Sequence, residues 1–159
     1  MSLLDKEPVK RAEKALKDFN TEMKVIILKD SAKTALEAAN SLNCEVGAIV
    51  KSLLFKTGSD FALCLVSGDK RCSLNKLKKI IDIEDVLMAS PEDVKMQTGY
   101  TIGGVSPVGH GNKIEILIDK SLERFNHLYA AAGHPNCVFK INFKDLQKIT
   151  NGKIKELIE

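Results

Sequence analysis

The sequence predicts an α+β fold, a mixed β-sheet with peripheral helices, and three observations carry that expectation. Stretches of helical and strand periodicity interleave without strict alternation, two strands are joined as a hairpin, and no linker rich in proline, glycine or serine divides the chain. Strict βα alternation would have indicated a doubly wound parallel sheet instead. At 159 residues the chain can bury one core and is cramped for two, so residues 1–159 are expected to form a single domain.

Taken in order, Val9, Ala12, Leu16 and Phe19 recur at helical spacing, and so do Ala32, Ala35, Leu36, Ala39 and Leu42, with Asp30 or Ser31 available as N-cap. Between them Val25 to Leu28 reads as a short buried strand. Two strands follow, about Ala48 to Lys56 and Phe61 to Ser67, joined through Gly58 at hairpin length and so expected to pair antiparallel. Leu74, Leu77, Ile80 and Ile81 mark a helix capped by Ser73, and Val86 to Ala89 another short strand. Ser90-Pro91-Glu92-Asp93 combines a cap, a proline at the first helical position and an acid at the third, and that helix ends near Gly99. Ile114, Ile116 and Ile118 alternate with polar or outward residues, as do Phe139, Ile141 and Phe143, which predicts two late strands. Asp145 to Ile149 and Lys153 to Ile158 read as helices broken at Asn151-Gly152. Residues 123–132 fit neither period.

The composition, 44% hydrophobic and 28% charged, is that of an ordinary globular protein and excludes general disorder. Cys44, Cys64, Cys72 and Cys137 form no CxxC pair, so free thiols in a reducing compartment are expected. The N-terminus carries no apolar core of signal-peptide length, and no stretch approaches the ~18 apolar residues of a membrane span. These features predict a cytoplasmic protein with no membrane partner. Net charge is +3, but Lys51 to Lys79 holds seven basic residues against two acidic ones, a net +5. Such a patch suits a phosphate-bearing partner, or is simply a solvated helix face.

Lys51 stands in an apolar strand, where period two puts it on one face with Ile49, Leu53 and Phe55. A lysine there either lifts its ammonium into water at a sheet edge or holds it in a polar cavity, where burial lowers its pKa. The segment Gly99 to Gly111 contains five of the ten glycines, with Pro107 restricting it. It reads as a ligand-cradling loop or as a long turn. It matches neither the Walker pattern nor GxGxxG, which removes support for nucleoside triphosphates and dinucleotides. His110, His127 and His134 lack partners at metal-ligand spacing, so no metal and no cofactor is expected. His110 and His134 could orient a substrate or water, or be structural.

The run Val46 to Phe55, then Leu65-Val66-Ser67-Gly68-Asp69, Gly99 to His110, Ala131-Ala132-Gly133-His134-Pro135 and Asp145 to Gly152 together resemble the YbaK/ProX family of aminoacyl-tRNA editing domains, from about Ala32 to the C-terminus. The resemblance implies a curved, partly barrel-like mixed sheet. It implies a trans-editing deacylase that hydrolyses the ester of a mischarged tRNA, tRNA-Pro carrying a small amino acid being one candidate, and a relation to the editing insertion of prolyl-tRNA synthetases. The implied partners are the mischarged tRNA acceptor end and an aminoacyl-tRNA synthetase. Lys51 takes the catalytic position, and Ser52, Gly103, Gly104, Val105, Ser106, Pro107, His110, Gly133 and His134 take substrate-binding positions. One departure is that Asn136 directly follows Pro135, where some relatives place the asparagine two residues after the proline. In the mechanism this suggests, the Lys51 ammonium and N–H groups around Gly103 and Gly104 stabilise negative charge as water attacks the ester. A non-catalytic RNA-binding module and a small aminoacyl esterase are the competing readings.

Overall fold

A computed structural model describes residues 2–30 and 32–159. Helix α1 (Glu7–Phe19) begins with Pro8 in its first turn and turns Val9, Ala12 and Leu16 inward, all three fully buried. Helix α2 (Ala35–Leu42) starts from a capping box in which the Thr34 hydroxyl accepts from the Glu37 N–H and the Glu37 carboxylate accepts from the Thr34 N–H. The cap is therefore Thr34 and not Asp30, and Ala32 precedes the helix; Ser31 lies outside the described residues. Helices α3 (Leu74–Ile81), α4 (Pro91–Thr98) and α5 (Phe143–Thr150) are capped by the side chains of Ser73, Ser90 and Asn142.

Among the described residues eight strands form one mixed sheet: β1 (Ile26–Ile27), β2 (Ile49–Thr57), β3 (Asp60–Ser67), β4 (Val86–Met88), β5 (Glu115–Asp119), β6 (Leu128–His134), β7 (Cys137–Ile141) and β8 (Lys153–Lys155). Their order is β1-β7-β6-β2-β3-β5-β8, with β4 added to β2. The β2–β3 hairpin is antiparallel, as expected, whereas β2–β6, β3–β5 and β5–β8 are parallel. The sheet is open, ending on β1 and β8, so the barrel character implied by the resemblance stops short of closure.

Both faces of the sheet are covered. Along β3, Leu63 and Leu65 enter a core with Leu16, Ile116, Ile118, Phe139 and Leu146, while Cys64 and Val66 enter a second with Phe55, Leu77, Leu117 and Leu157. A strand buried on both sides reads as a continuous apolar run, which is why Phe61 to Val66 shows no alternation. A third cluster under α2 joins Ala38, Ala39, Ile49 and Val138.

Two expectations are corrected. Phe143 does not continue the strand; Asn142 caps α5 by accepting from the Asp145 N–H at 2.7 Å, and Phe143 becomes the first residue of that helix. Lys153 to Ile158 is not helical. Asn151 ends α5 in the left-handed conformation, the chain reverses, and β8 pairs parallel to β5. The spacing of Ile154, Leu157 and Ile158 resembled a helix, but so short a helix nucleates poorly beside an available strand edge. The ambiguous residues resolve into a 3-10 turn (Lys120–Arg124) and most of β6.

Candidate active site

The edge of β2 that faces away from β3 is only partly used. It pairs with β6 at Ile49 and Val50 and with β4 from Phe55 to Thr57, leaving Lys51 to Leu54 between two neighbours. The hairpin closes on the Thr57–Asp60 pair around a two-residue loop, so hydrogen bonding to β3 falls on Thr57, Phe55, Leu53 and Lys51. The intervening residues aim their backbone groups the other way. Leu54 uses its carbonyl to accept from the Ala89 N–H at 3.0 Å. Ser52 turns its N–H and C=O into the gap, and its Oγ is the one buried side-chain polar atom with no partner among the described residues. Unpaired buried hydroxyls are costly and uncommon.

A cavity of about 440 Å³ occupies this gap. Residues from both faces of β2 line it: Lys51 and Ser52 contribute together, with Ala89, Val94, Ala130 and Ala131 as apolar wall and Gly103, Val105 and Pro135 also lining it. The Lys51 ammonium donates to the Lys70 carbonyl at 2.5 Å, which leaves two of its three N–H groups for other acceptors. Burial pushes its pKa below the ordinary lysine value; Asp69 and Cys72 oppose that shift and Arg71 adds to it.

The glycine loop is built to sit close to β6. Gly103 adopts φ +96°, a left-handed conformation that disfavours any side chain, and a Cβ on Gly104 would meet the His134 nitrogen at 2.9 Å and the Gly133 carbonyl carbon at 3.0 Å. Gly133 and His134 thus lie beneath the loop and are not among the cavity-lining residues. The His134 Nδ1 accepts from the Asn136 N–H at 3.0 Å, shaping the β6–β7 turn. Gly104 donates its N–H to the Thr101 carbonyl at 3.0 Å, which corrects the expectation that it offers this donor to a ligand.

Behind the loop, Tyr100 is fully buried and its hydroxyl donates to the Val108 carbonyl at 2.7 Å. The His110 Nε2 donates to the Ser106 carbonyl at 2.7 Å, with its ring edge-on to Tyr100. Burial lowers the pKa of His110, so at neutral pH it is an uncharged strut inside the loop. Ser106 and Pro107 are buried in the same support. Arg11 of α1 ties both ends of the loop, through Nε to the Gly109 carbonyl at 2.8 Å and Nη2 to the Gly99 carbonyl at 2.7 Å, with its guanidinium 4.6 Å from the Tyr100 ring centre. Nothing in the local sequence marked Arg11, because its partners are 88 and 98 residues away. Replacing it with alanine strips two charge-assisted bonds and is expected to lower stability by about 2 kcal/mol, read as a lower urea midpoint at unchanged m value.

Among the described residues no group of three or more His, Cys, Asp or Glu is placed to hold a metal ion, and no helix is long and apolar enough to cross a membrane. Fold and site together define a small α+β domain whose mainly apolar cavity is lined by Lys33, Lys51 and the unpartnered Ser52 hydroxyl, a class suited to an acylated ligand.

Residues 29–149 match the family profile described as aminoacyl-tRNA editing domain. The protein YwhH of Bacillus subtilis (strain 168) is 31% identical over 137 residues, which cover 86% of this chain and 87% of the relative. Proline–tRNA ligase of Kosmotoga olearia is 33% identical over 119 residues, 75% of this chain but 19% of the ligase, so the chain corresponds to about a fifth of that enzyme. A solved structure described as a candidate trans-editing enzyme for prolyl tRNA synthetase superposes with TM-score 0.91 at 35% identity, covering 97% of this chain and 98% of the other. The chain belongs to the aminoacyl-tRNA editing domain family.

Proposed function

We propose that residues 1–159 act as one trans-editing domain that hydrolyses the ester of a mischarged tRNA, with tRNA-Pro carrying a small amino acid as substrate. The observation that carries this reading is that Lys51 and Ser52, whose hydroxyl has no partner among the described residues, line one mainly apolar cavity together with Gly103 and Val105. The likeness to proline–tRNA ligases and to a trans-editing candidate supports the choice of substrate.

Lys51 stabilises the oxygen of the ester carbonyl as water attacks the carbon, and the Ser52 backbone N–H, turned into the same gap, is the second donor. The ester C–O bond then breaks toward the ribose, whose oxygen takes up the proton, releasing free amino acid and intact tRNA. A ribose hydroxyl or bound water carries the attacking proton away. The alanine and valine walls suit a short side chain, although one methylene changes discrimination by only ~1–3 kcal/mol. Lys33 lines the cavity, and Arg71 and Lys76 are exposed, giving the acceptor-stem phosphates cationic neighbours. The domain would act in the cytoplasm, on the acceptor end left by an aminoacyl-tRNA synthetase.

A deacylation panel of mischarged tRNAs, run beside simple aminoacyl esters, tests the reading; hydrolysis of the esters with no preference for tRNA contradicts it. Ser52→Ala separates function from folding. Removing a hydroxyl that finds no partner is expected to raise stability by about 1 kcal/mol, while loss of its substrate contact lowers kcat/KM about tenfold. Calorimetry and single-turnover rates check the opposite signs.

A further inference from the structure

We propose that Asp69 and Arg124 are positioning residues for Lys51, clamping the turn whose Lys70 carbonyl holds the ammonium of this cavity-lining residue. The inference depends on the function proposed above only for its kinetic consequence.

The turn after β3 is closed by the Lys70 N–H donating to the Ser67 carbonyl at 3.0 Å, and it presents the Lys70 carbonyl to Lys51. Arg124 grips it as a fork: Nη2 reaches Asp69 Oδ1 at 2.8 Å and Nη1 reaches Oδ2 at 3.1 Å. The same Nη2 also donates to the Ser67 hydroxyl at 2.9 Å, and that hydroxyl in turn donates to the Gly47 carbonyl at the entry to β2. The guanidinium is itself anchored, by Nε to the Ser121 carbonyl at 2.7 Å and over the Phe125 ring, 4.8 Å from its centre. Three chain segments thus meet at one ion pair: the entry to β2 at Gly47, the turn after β3, and the 3-10 turn Lys120–Arg124 with the Phe125 that follows it.

The side chains of Arg124 and Asp69 are 41% and 32% exposed, so solvent screens the pair, and beyond what its two-pronged geometry adds to folding it fixes where the turn presents the Lys70 carbonyl. The charged and titratable groups facing Lys51 are Asp69, Arg71 and Cys72 on the turn and the bridge that follows, with Lys33 lining the same cavity and Arg124 behind Asp69. Of these, Asp69 is the carboxylate that offsets the burial of the ammonium, and the Arg124 guanidinium bonded to it holds its pKa down at about 2.

The test reads Lys51 directly, through the 13Cε shift of lysine-labelled protein titrated with pH and assigned with Lys51→Arg. In Asp69→Asn the ammonium loses its opposing charge and should deprotonate at lower pH than in the wild type, and the alkaline limb of single-turnover deacylation should move the same way. In Arg124→Gln the Asp69 charge remains, so the Lys51 titration should not fall, while the rate drops by ~10- to ~100-fold because the carbonyl is no longer held in place. Arg124→Lys, which keeps the charge without the fork, should recover only part of that loss. A Lys51 titration unmoved in Asp69→Asn, or a wild-type rate in Arg124→Gln, overturns the clamp. The titration needs no substrate: a wild-type protein inactive on every mischarged tRNA contradicts the function, whereas an unmoved titration contradicts the clamp alone.

Discussion

Lys51→Ala is expected to lower single-turnover deacylation of a mischarged tRNA by about 100- to 1,000-fold, the scale of losing one preorganised donor to an oxyanion. Folding should survive, because the lowered pKa of Lys51 means that the folded chain holds this proton less tightly than the unfolded one. The ammonium therefore detracts from stability, an effect that builds as pH falls from the ordinary lysine pKa to the lowered folded one and is constant below it, and its removal should not unfold the protein. Lys51→Met, which keeps most of the stem, separates loss of charge from loss of packing. The result also decides between classes. A non-catalytic RNA-binding module would retain salt-dependent tRNA binding in Lys51→Ala and show no deacylation in either form. Rates indistinguishable between wild type and variant would remove Lys51 from the mechanism.

Gly104→Ala carries the second large effect. The added Cβ would lie 2.9 to 3.0 Å from three backbone atoms of Gly133 and His134, which cannot rotate away as a side chain would, so the loop must lift from β6. Gly103 and Val105, which line the same cavity as Lys51, move with it. A displacement approaching 1 Å at a reacting centre can cost about 100-fold, and a loss of that order in kcat/KM is expected while the Lys51 environment is unchanged. Single-turnover kinetics of Gly104→Ala read this directly; a rate within twofold of wild type would show that the loop does not shape the site.

The contrast between Lys51 and its supports shows what a sequence can carry. Lys51 was visible because a charge in a period-two apolar run is a local anomaly, and the β2–β3 hairpin because its turn and both strands are contiguous. The helix starts at Ser73 and Ser90 were legible for the same reason: cap and helix are neighbours. Arg11, Asp69 and Arg124 left no mark, since each acts through partners from distant segments, and an arginine on an amphipathic helix or in a short turn is unremarkable alone. Ser52 was placed by resemblance, but its significance lies in which edge of β2 goes unpaired, a property of topology. The hydrogen-bonding groups of His110 and Gly104 are consumed within the loop, by Ser106 and Thr101, which composition cannot reveal. The segment after Gly152 was misread because the edge of β5 that captures it lies over thirty residues earlier in the chain.

The most direct measurement is the binding of a non-hydrolysable 3′-amide-linked alanyl-adenosine to 15N-labelled protein, followed by amide chemical shifts. If the open edge of β2 receives the aminoacyl end, the largest changes fall on Lys51, Ser52, Gly103 and Val105, with the Ser52 N–H moving as it gains an acceptor. Saturable shifts confined to residues away from this gap, with Ser52 unperturbed, would contradict it.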